Sequence, residues 1–333
     1  MKKRTIFLLV TAFLAMVVGG VGSIFFYGQN DQFLENNKQN YHVKNSDALK
    51  EMHLTLSGDV SYTIASADRK DISLWPMNNH KENLKVNEEK DQIAVDVNGQ
   101  QTKKQPNLFF FFGISSDSGT ITIPSSVKKL VISGNLNTNT NLENIELTEL
   151  VVDAKQASIY LSNISTNRLS VKTSASSISA TNKTQAKQAS FVTKSGAIYL
   201  SDFFFDQVKT KSNSGDLRID GGHGTVEGTT NSGGITVDDL KGVGKFTSKN
   251  GDFTLNTPSI PKDLDVELEQ GQIQIYGNEI FHNIELKGQS ELGTVSLLGK
   301  DRTSYKVGKG TNHFRLTSKY GDITVDGPGS NDE

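Results

Sequence analysis

Gly215-Asp216-Leu217-Arg218-Ile219, Gly233-Gly234-Ile235-Thr236-Val237 and Gly251-Asp252-Phe253-Thr254-Leu255 share one pattern: a small residue, a spacer, then apolar, polar and apolar residues. The pattern also starts at Ala157, Ser176, Gly196, Gly271, Gly293 and Gly321, so that the nine copies lie 19, 20, 19, 18, 18, 20, 22 and 28 residues apart. An earlier copy begins at Gly119. Alternation with period two marks a strand with one buried face. Seven and five residues before each small residue stands a second alternating pair, such as Leu150/Val152, Leu169/Val171 and Leu264/Val266. That column weakens at Val226/Gly228, Gly244/Phe246 and Leu286/Gly288. Three residues before the small one comes a hydroxyl: Thr173, Thr193, Ser212, Thr230, Ser248, Ser290 and Ser318, with Ala154 and Leu268 as exceptions.

Two short strands cannot bury a core within one repeat, so each repeat must stack on the next. The expectation is an all-β fold, a β-solenoid (β-helix) of about ten rungs of roughly 19 residues, covering residues 119–326. The glycine is expected to supply a corner with positive φ. The hydroxyls are expected to bond one another in a ladder along that corner. Ten rungs at roughly 4.8 Å make a rod about 48 Å long.

The rest of the chain is arranged around that block. Lys2, Lys3 and Arg4 precede an uncharged run, and residues 6–27 are long enough, at about 1.5 Å per residue, to cross a bilayer as a helix. The basic flank predicts a cytoplasmic N-terminus at residues 1–5 and an extracellular remainder, attached to the cell membrane by a single-pass anchor. The competing reading is a cleaved signal peptide ending near Gly20-Val21-Gly22-Ser23, but Ile24, Phe25, Phe26 and Tyr27 extend the apolar run beyond it. Residues 28–50 read as a polar stalk, 51–118 as an N-terminal β cap region and 327–333 as a disordered tail. No cap is visible after the last copy. The strand holding Ile323 and Val325 is therefore expected to present an open edge, available for self-assembly by head-to-tail pairing.

Composition narrows the function classes. The 333 residues carry 35 Lys+Arg against 37 Asp+Glu, a net charge of −2, so no nucleic-acid partner is expected. With no cysteine, disulfide scaffolds, thiolate catalysis and cysteine-based zinc sites are excluded. His42, His53, His80, His223, His282 and His313 show no metal-ligand spacing, so neither a metal nor a cofactor is expected. Asp216, Asp252 and Asp322 follow their glycines at irregular rung intervals and read as turn acids rather than a catalytic pair. The chain is read as a non-enzyme.

Two features could make contacts instead. The outward positions of the post-corner strands include Tyr160, Tyr199, Arg218, Thr236, Thr254 and Gln274, a polar ladder with one charge. The aromatic runs Phe109–Phe112 and Phe203-Phe204-Phe205 read first as packing residues and second as an exposed patch. Tyr160, Tyr199, Arg218, Thr236, Thr254, Gln274, Phe203, Phe204 and Phe205 together form the candidate contact surface.

The rungs Asn213-Ser214-Gly215-Asp216-Leu217-Arg218-Ile219 and Lys319-Tyr320-Gly321-Asp322-Ile323-Thr324-Val325, with the approach Ile121–Ile132, resemble the bacterial putative-adhesin domain of unknown function found in LiaG-like membrane-anchored envelope proteins. The likeness covers roughly residues 51–326. It implies a β-solenoid at the surface of a bacterium, often Gram-positive, with no catalytic residues to carry over. The expected partners are a cell-envelope polymer, a surface glycan or an envelope protein. Adhesion is the first reading. The alternative is a regulatory envelope-stress protein that binds a membrane partner or antimicrobial ligand.

Overall fold

A computed structural model describes residues 38–76, 80–101, 118–136, 139–257 and 260–328. The anchor expected at 6–27, the cytoplasmic residues before it, the Phe109–Phe112 run and residues 329–333 lie outside that set. Among the described residues there is no α-helix, and no helix long and apolar enough to cross a membrane.

Every repeat contributes to two stacks of strands on either side of its small-residue corner. In the pre-corner stack the parallel register runs Leu130, Leu150, Leu169, Ala189, Val208, Val226, Gly244, Leu264. The post-corner stack runs Thr140, Ile159, Ile178, Ile198, Leu217, Ile235, Phe253, Ile273. Both lines point inward, and the apolar members among them are buried. The weak places in the pre-corner column are filled from the side. A Cβ on Gly244 or Gly228 would meet the Phe246 ring, and one on Gly288 would meet Val295. Small residues there make room for larger neighbours, as dense packing requires.

The order of the rungs departs from the order of the chain at both ends. Glu51–Gly58 lies between Gln92–Gln101 and Lys129–Leu136, and Ser61–Ala67 lies between Ser118–Pro124 and Thr140–Glu146. Thus 51–67, expected to be part of a cap, is a rung inside the stack. Met52, Leu54 and Leu56 alternate inward like every other rung and are fully buried. The end is instead covered by antiparallel strands, His80–Glu89 on Gln92–Gln101 and Asp71–Pro76 on Ser118–Pro124.

The C-terminal end mirrors this. Asn312–Tyr320 inserts between Asp263–Gln270 and Ile284–Ser290, while Ile323–Asp326 inserts between Ile273–Gly277 and Val295–Leu297. The edge expected at Ile323 and Val325 is therefore not an edge, because both residues have a strand on each side. The outermost rung is capped by Ser304–Lys306 and Lys300–Asp301, each antiparallel. A change to antiparallel pairing at each end replaces the parallel edge that another copy would extend.

The folded domain also begins further upstream than expected. Gln39–His42 pairs antiparallel with Asp71–Pro76, and Val43 and Leu49 are each only 2% exposed. From residue 38 onward the expected stalk is part of the folded domain.

The small-residue corner works differently from the expectation. Of the seven corner glycines only Gly271 has positive φ. A Cβ at Gly215, Gly233 or Gly251 would instead collide with the carbonyl oxygen of the corner glycine one rung below. Close approach of backbones, not left-handed geometry, demands glycine here. The carbonyls take their hydrogen bonds from the hydroxyl column. Ser212 donates to Gly196 O at 3.1 Å, Thr230 to Gly215 O at 3.2 Å and Thr193 to Ser176 O at 3.1 Å. The hydroxyls thus bond the adjacent rung's backbone rather than one another.

The left-handed corner lies six residues later, at Asn163, Asn182, Asp202, Gly221 and Asp239, with Asn144 a rung earlier. Asn and Asp tolerate this region because their short polar side chains bond locally. Asn163 Nδ2 donates to Asn144 Oδ1 at 2.8 Å, and Asn182 Nδ2 to Ser162 Oγ at 2.9 Å.

Candidate functional surface

The post-corner strands hold their outward side chains in one continuous line. Thr63, Asn141, Tyr160, Ser179, Tyr199, Arg218, Thr236, Thr254, Gln274, Thr324 and Ser296 follow one another in register. Six of the expected contact residues are thus neighbours on one face. Thr122, which sequence spacing also places on this line, pairs with Ala65 one step along the strand, and Thr120 takes its place beside Thr63.

Several of these side chains are already engaged by the next rung. Tyr199 donates its hydroxyl to Asp220 at 3.3 Å, and Arg218 reaches Asp238 at 3.3 Å. Asp238 also accepts from Asn256 at 2.8 Å, so Arg218 is tied into a polar net rather than standing free. Tyr160 is 43% exposed, and Thr236 and Thr254, between Arg218 and Gln274, are short and half-buried. The turn acids do what their position predicts. Asp216 accepts from the Gly234 amide, Asp252 from the Gln272 amide and Asp322 from the Thr294 amide, each at 2.8 Å.

The phenylalanine run divides. Phe203 and Phe205 are buried and stacked at 4.9 Å, and Phe205 leans on Phe191 at 5.8 Å. Two of the nine expected contact residues are therefore core. Alternation along a strand sends the middle one outward. Phe204 is 41% exposed and stacks on His223, with ring centroids 5.1 Å apart and planes 9° from parallel.

Phe204 stands in the wall of a groove of about 650 Å³ that crosses four rungs, from Ser165 through Gln185 and Phe204 to His223. The opposite wall carries Asn167, Lys187 and Asp206, and Ala186 and Phe205 lie in the floor. The one register shift within a parallel pairing of the described residues falls here: Phe204 pairs with His223, but Gln207 pairs with Thr225. Bulges of this kind re-aim side chains and gather near functional sites. Spacing alone did not reveal the groove. Its rim residues Ser165, Gln185, Phe204 and His223 follow the left-handed corners by two or three positions, but they share no residue type that would mark them in the sequence.

Several neighbours on the pre-corner face carry opposite charges. Lys209 meets Glu227 at 2.9 Å, Arg315 meets Asp265 at 3.9 Å and Lys129 meets Glu51 at 2.9 Å. The Lys129 ammonium holds the Glu51 carboxyl below its ordinary range, helped by His53, and Glu51 in turn raises Lys129. Lys287 does the same to Glu285, and the Thr294 amide and hydroxyl hold Asp322 low. Such exposed pairs contribute little stability individually but favour one register.

Stacked parallel rungs, a recurring close-approach corner and antiparallel end strands define a β-solenoid-like domain. The chain belongs to the Toastrack DUF4097 family, whose profile matches residues 49–184 and again 166–326. Among solved structures, a putative adhesin from Bacteroides fragilis NCTC 9343 is 11% identical with a TM-score of 0.37, over 87% of this chain and 96% of that one. A putative adhesin from Parabacteroides merdae ATCC 43184 is 12% identical with a TM-score of 0.33, over 87% and 95%. A putative cell adhesion protein from Clostridium sporogenes ATCC 15579 is 10% identical with a TM-score of 0.25, over 87% and 99%. The search of curated proteins returned no match.

Proposed function

We propose that this protein is a non-catalytic, adhesin-like binding module of the bacterial envelope. In this reading residues 6–27 anchor it in the cell membrane, with the N-terminus cytoplasmic and the solenoid outside, an organisation similar to LiaG-like envelope proteins. The stack holds a fixed array of polar and aromatic side chains away from the bilayer, where it meets a cell-envelope polymer, surface glycan or envelope protein. The observation that carries the reading is the unbroken outward line from Thr63 to Ser296, fixed in register by parallel pairing along the stack. A rigid, repetitive polar face suits a repetitive ligand, because each rung repeats the contact of the last at roughly 4.8 Å. Self-assembly through the C-terminal strand is not favoured, since that strand is paired on both sides.

The test is co-sedimentation of the full chain with purified cell walls. Retention that falls severalfold when Tyr160 and Gln274 are both changed to Ala supports the reading. Retention no better than that of an unrelated protein counts against it.

A further inference from the structure

We propose that the outward face of the pre-corner strands, from the rung of Lys172 to that of Lys249, binds a linear polymer carrying a phosphate in each repeat. This face belongs to the other stack from the line running Thr63 to Ser296, so the proposal goes beyond the adhesin-like reading and can fail without it.

Register gathers lysines that the sequence keeps apart. Over five consecutive rungs the outward positions hold Lys172, Lys194, Lys209, Lys211, Lys245 and Lys249. All six are exposed, and among the described residues one carboxylate on this face, Glu227, stands between them. Lys172 and Lys211 flank Val192 in register, two steps of roughly 4.8 Å apart. Lys209 and Lys211 lie on one side of a single strand, about 6.6 Å apart at roughly 3.3 Å per residue. Lys194 follows Thr193, the partner of Ser212, and so stands beside Asn213 on that same strand. Acidic partners do not balance this set. Glu227 lies between Lys209 and Lys245 in register and meets Lys209 at 2.9 Å, while Asp153 meets Lys172 at 3.8 Å. Among the described residues Lys194, Lys211, Lys245 and Lys249 make no ion pair. Spacings of roughly 7–10 Å are close to the Debye length of about 8 Å at physiological salt, so these ammonium groups repel one another through solvent. A polyanion laid across them replaces that repulsion with attraction and releases its own counterions.

The surroundings select the ligand. The rung next to Lys245 and Lys249 presents Asp263, Asp265, Glu267 and Glu269 at its outward positions. A flat anionic bilayer pressed on this face would meet those four carboxylates together with the lysines. A chain can instead follow the lysines and stay clear of the acids. None of the large apolar side chains exposed among the described residues lies between these lysines, so nothing there enters a bilayer or stacks on a nucleic-acid base. The six cations are all lysine. Arginine's planar fork suits carboxylates, whereas an ammonium bonds any phosphate oxygen turned toward it, so one lysine face serves successive groups along a flexible chain.

The experiment measures binding of the full chain to linear inorganic polyphosphate and to polyglutamate over a range of salt concentrations, and compares phosphatidylglycerol with phosphatidylcholine vesicles. The expected result is polyphosphate binding that is tighter than polyglutamate binding and weakens steeply with salt. Lys211→Gln/Lys249→Gln is expected to lower polyphosphate affinity about tenfold at low salt and to flatten the salt dependence, because fewer phosphates are held. Both lysines are unpaired, so this variant is expected to melt like the parent. Lys300→Gln/Lys309→Gln removes the same charge near the C-terminal end and is expected to leave binding unchanged. Equal weakening by the two double variants, or polyglutamate bound as tightly as polyphosphate, overturns the proposal. So does failure to bind polyphosphate at low salt, whether or not phosphatidylglycerol is preferred over phosphatidylcholine.

Discussion

The Ser318 hydroxyl donates to the Gly271 carbonyl at 2.8 Å across 47 residues of sequence, and the Ser290 hydroxyl donates to Gly321 at 2.9 Å. These two bonds record the rung order at the C-terminal end: Gly271, then Gly321, then Gly293. Ser318 is fully buried, so Ser318→Ala leaves a carbonyl without its hydroxyl donor. The expected loss is about 1–3 kcal/mol in urea unfolding. Ser318→Thr, which restores the residue type of Thr230 in the same column, is expected to retain most of the stability.

Gly233 and Gly234 are adjacent and make a direct test of the corner. A Cβ on Gly233 would collide with the Gly215 carbonyl, whereas the nearest atom to a Cβ on Gly234 is 3.7 Å away. Gly233→Ala is expected to destabilise by about 1–3 kcal/mol because only backbone movement relieves the clash. Gly234→Ala is expected to be neutral, or stabilising by up to about 1 kcal/mol through a less flexible unfolded chain. Equal melting temperatures for the two variants would contradict the close-approach corner.

Phe203 and Phe204 should separate packing from surface. Phe203 is fully buried against Phe205, so Phe203→Ala is expected to cost about 3–5 kcal/mol. Phe204→Ala removes a ring that is 41% exposed and should cost less than about 1 kcal/mol. Denaturant midpoints on both variants check the ranking.

Acid should weaken the fold through carboxylates held low in the folded state. Glu51 is lowered by Lys129, Glu285 by Lys287 and Asp322 by Thr294. A folded pKa below the unfolded value, about 4 for these groups, means that their stabilisation is complete above that pH. It is lost as pH falls through the lower folded values. Lys129, raised by Glu51, works in the opposite sense: its contribution is present below about pH 10 and lost as pH rises through the folded value. Unfolding measured from pH 7 down to strong acid should show Asp322→Ala less stable than the parent at neutral pH, with the gap closing in acid.

Much of the fold was legible in the sequence because the repeat forces each strand into the same environment. The inward columns, the hydroxyl column and the turn acids all followed from spacing. Rung order did not, since Ile323 and Val325 look the same in sequence whether their strand is last in the stack or inserted. What distinguishes insertion is lateral. His313 and Arg315 stand against Asp263 and Asp265 below, and His313 against Glu285 above, pairings visible only in register. The left-handed corner was missed although Asn163, Asn182, Asp202, Gly221 and Asp239 recur with the period of the rungs, because the more numerous glycines drew the corner to themselves. Of the candidate surface, the outward line was legible by alternation. The split of Phe203 and Phe205 from Phe204 needed the strand's phase, which flips at the left-handed Asp202: Ile198 and Leu200 point inward before it, Phe203 and Phe205 after it.

Everything else in the molecule depends on the order of its rungs, and a chain without cysteine allows that order to be read by disulfide formation. Glu267 pairs with Thr317, which pairs with Gln289, so Glu267 and Gln289 are two rungs apart, roughly 9.6 Å. A disulfide needs Cα atoms within about 7 Å. Mild oxidation should cross-link the Glu267→Cys/Thr317→Cys chain rapidly within one molecule and leave Glu267→Cys/Gln289→Cys reduced. Cross-linking of the second pair and not the first would place the rungs in chain order and contradict the interleaved stack.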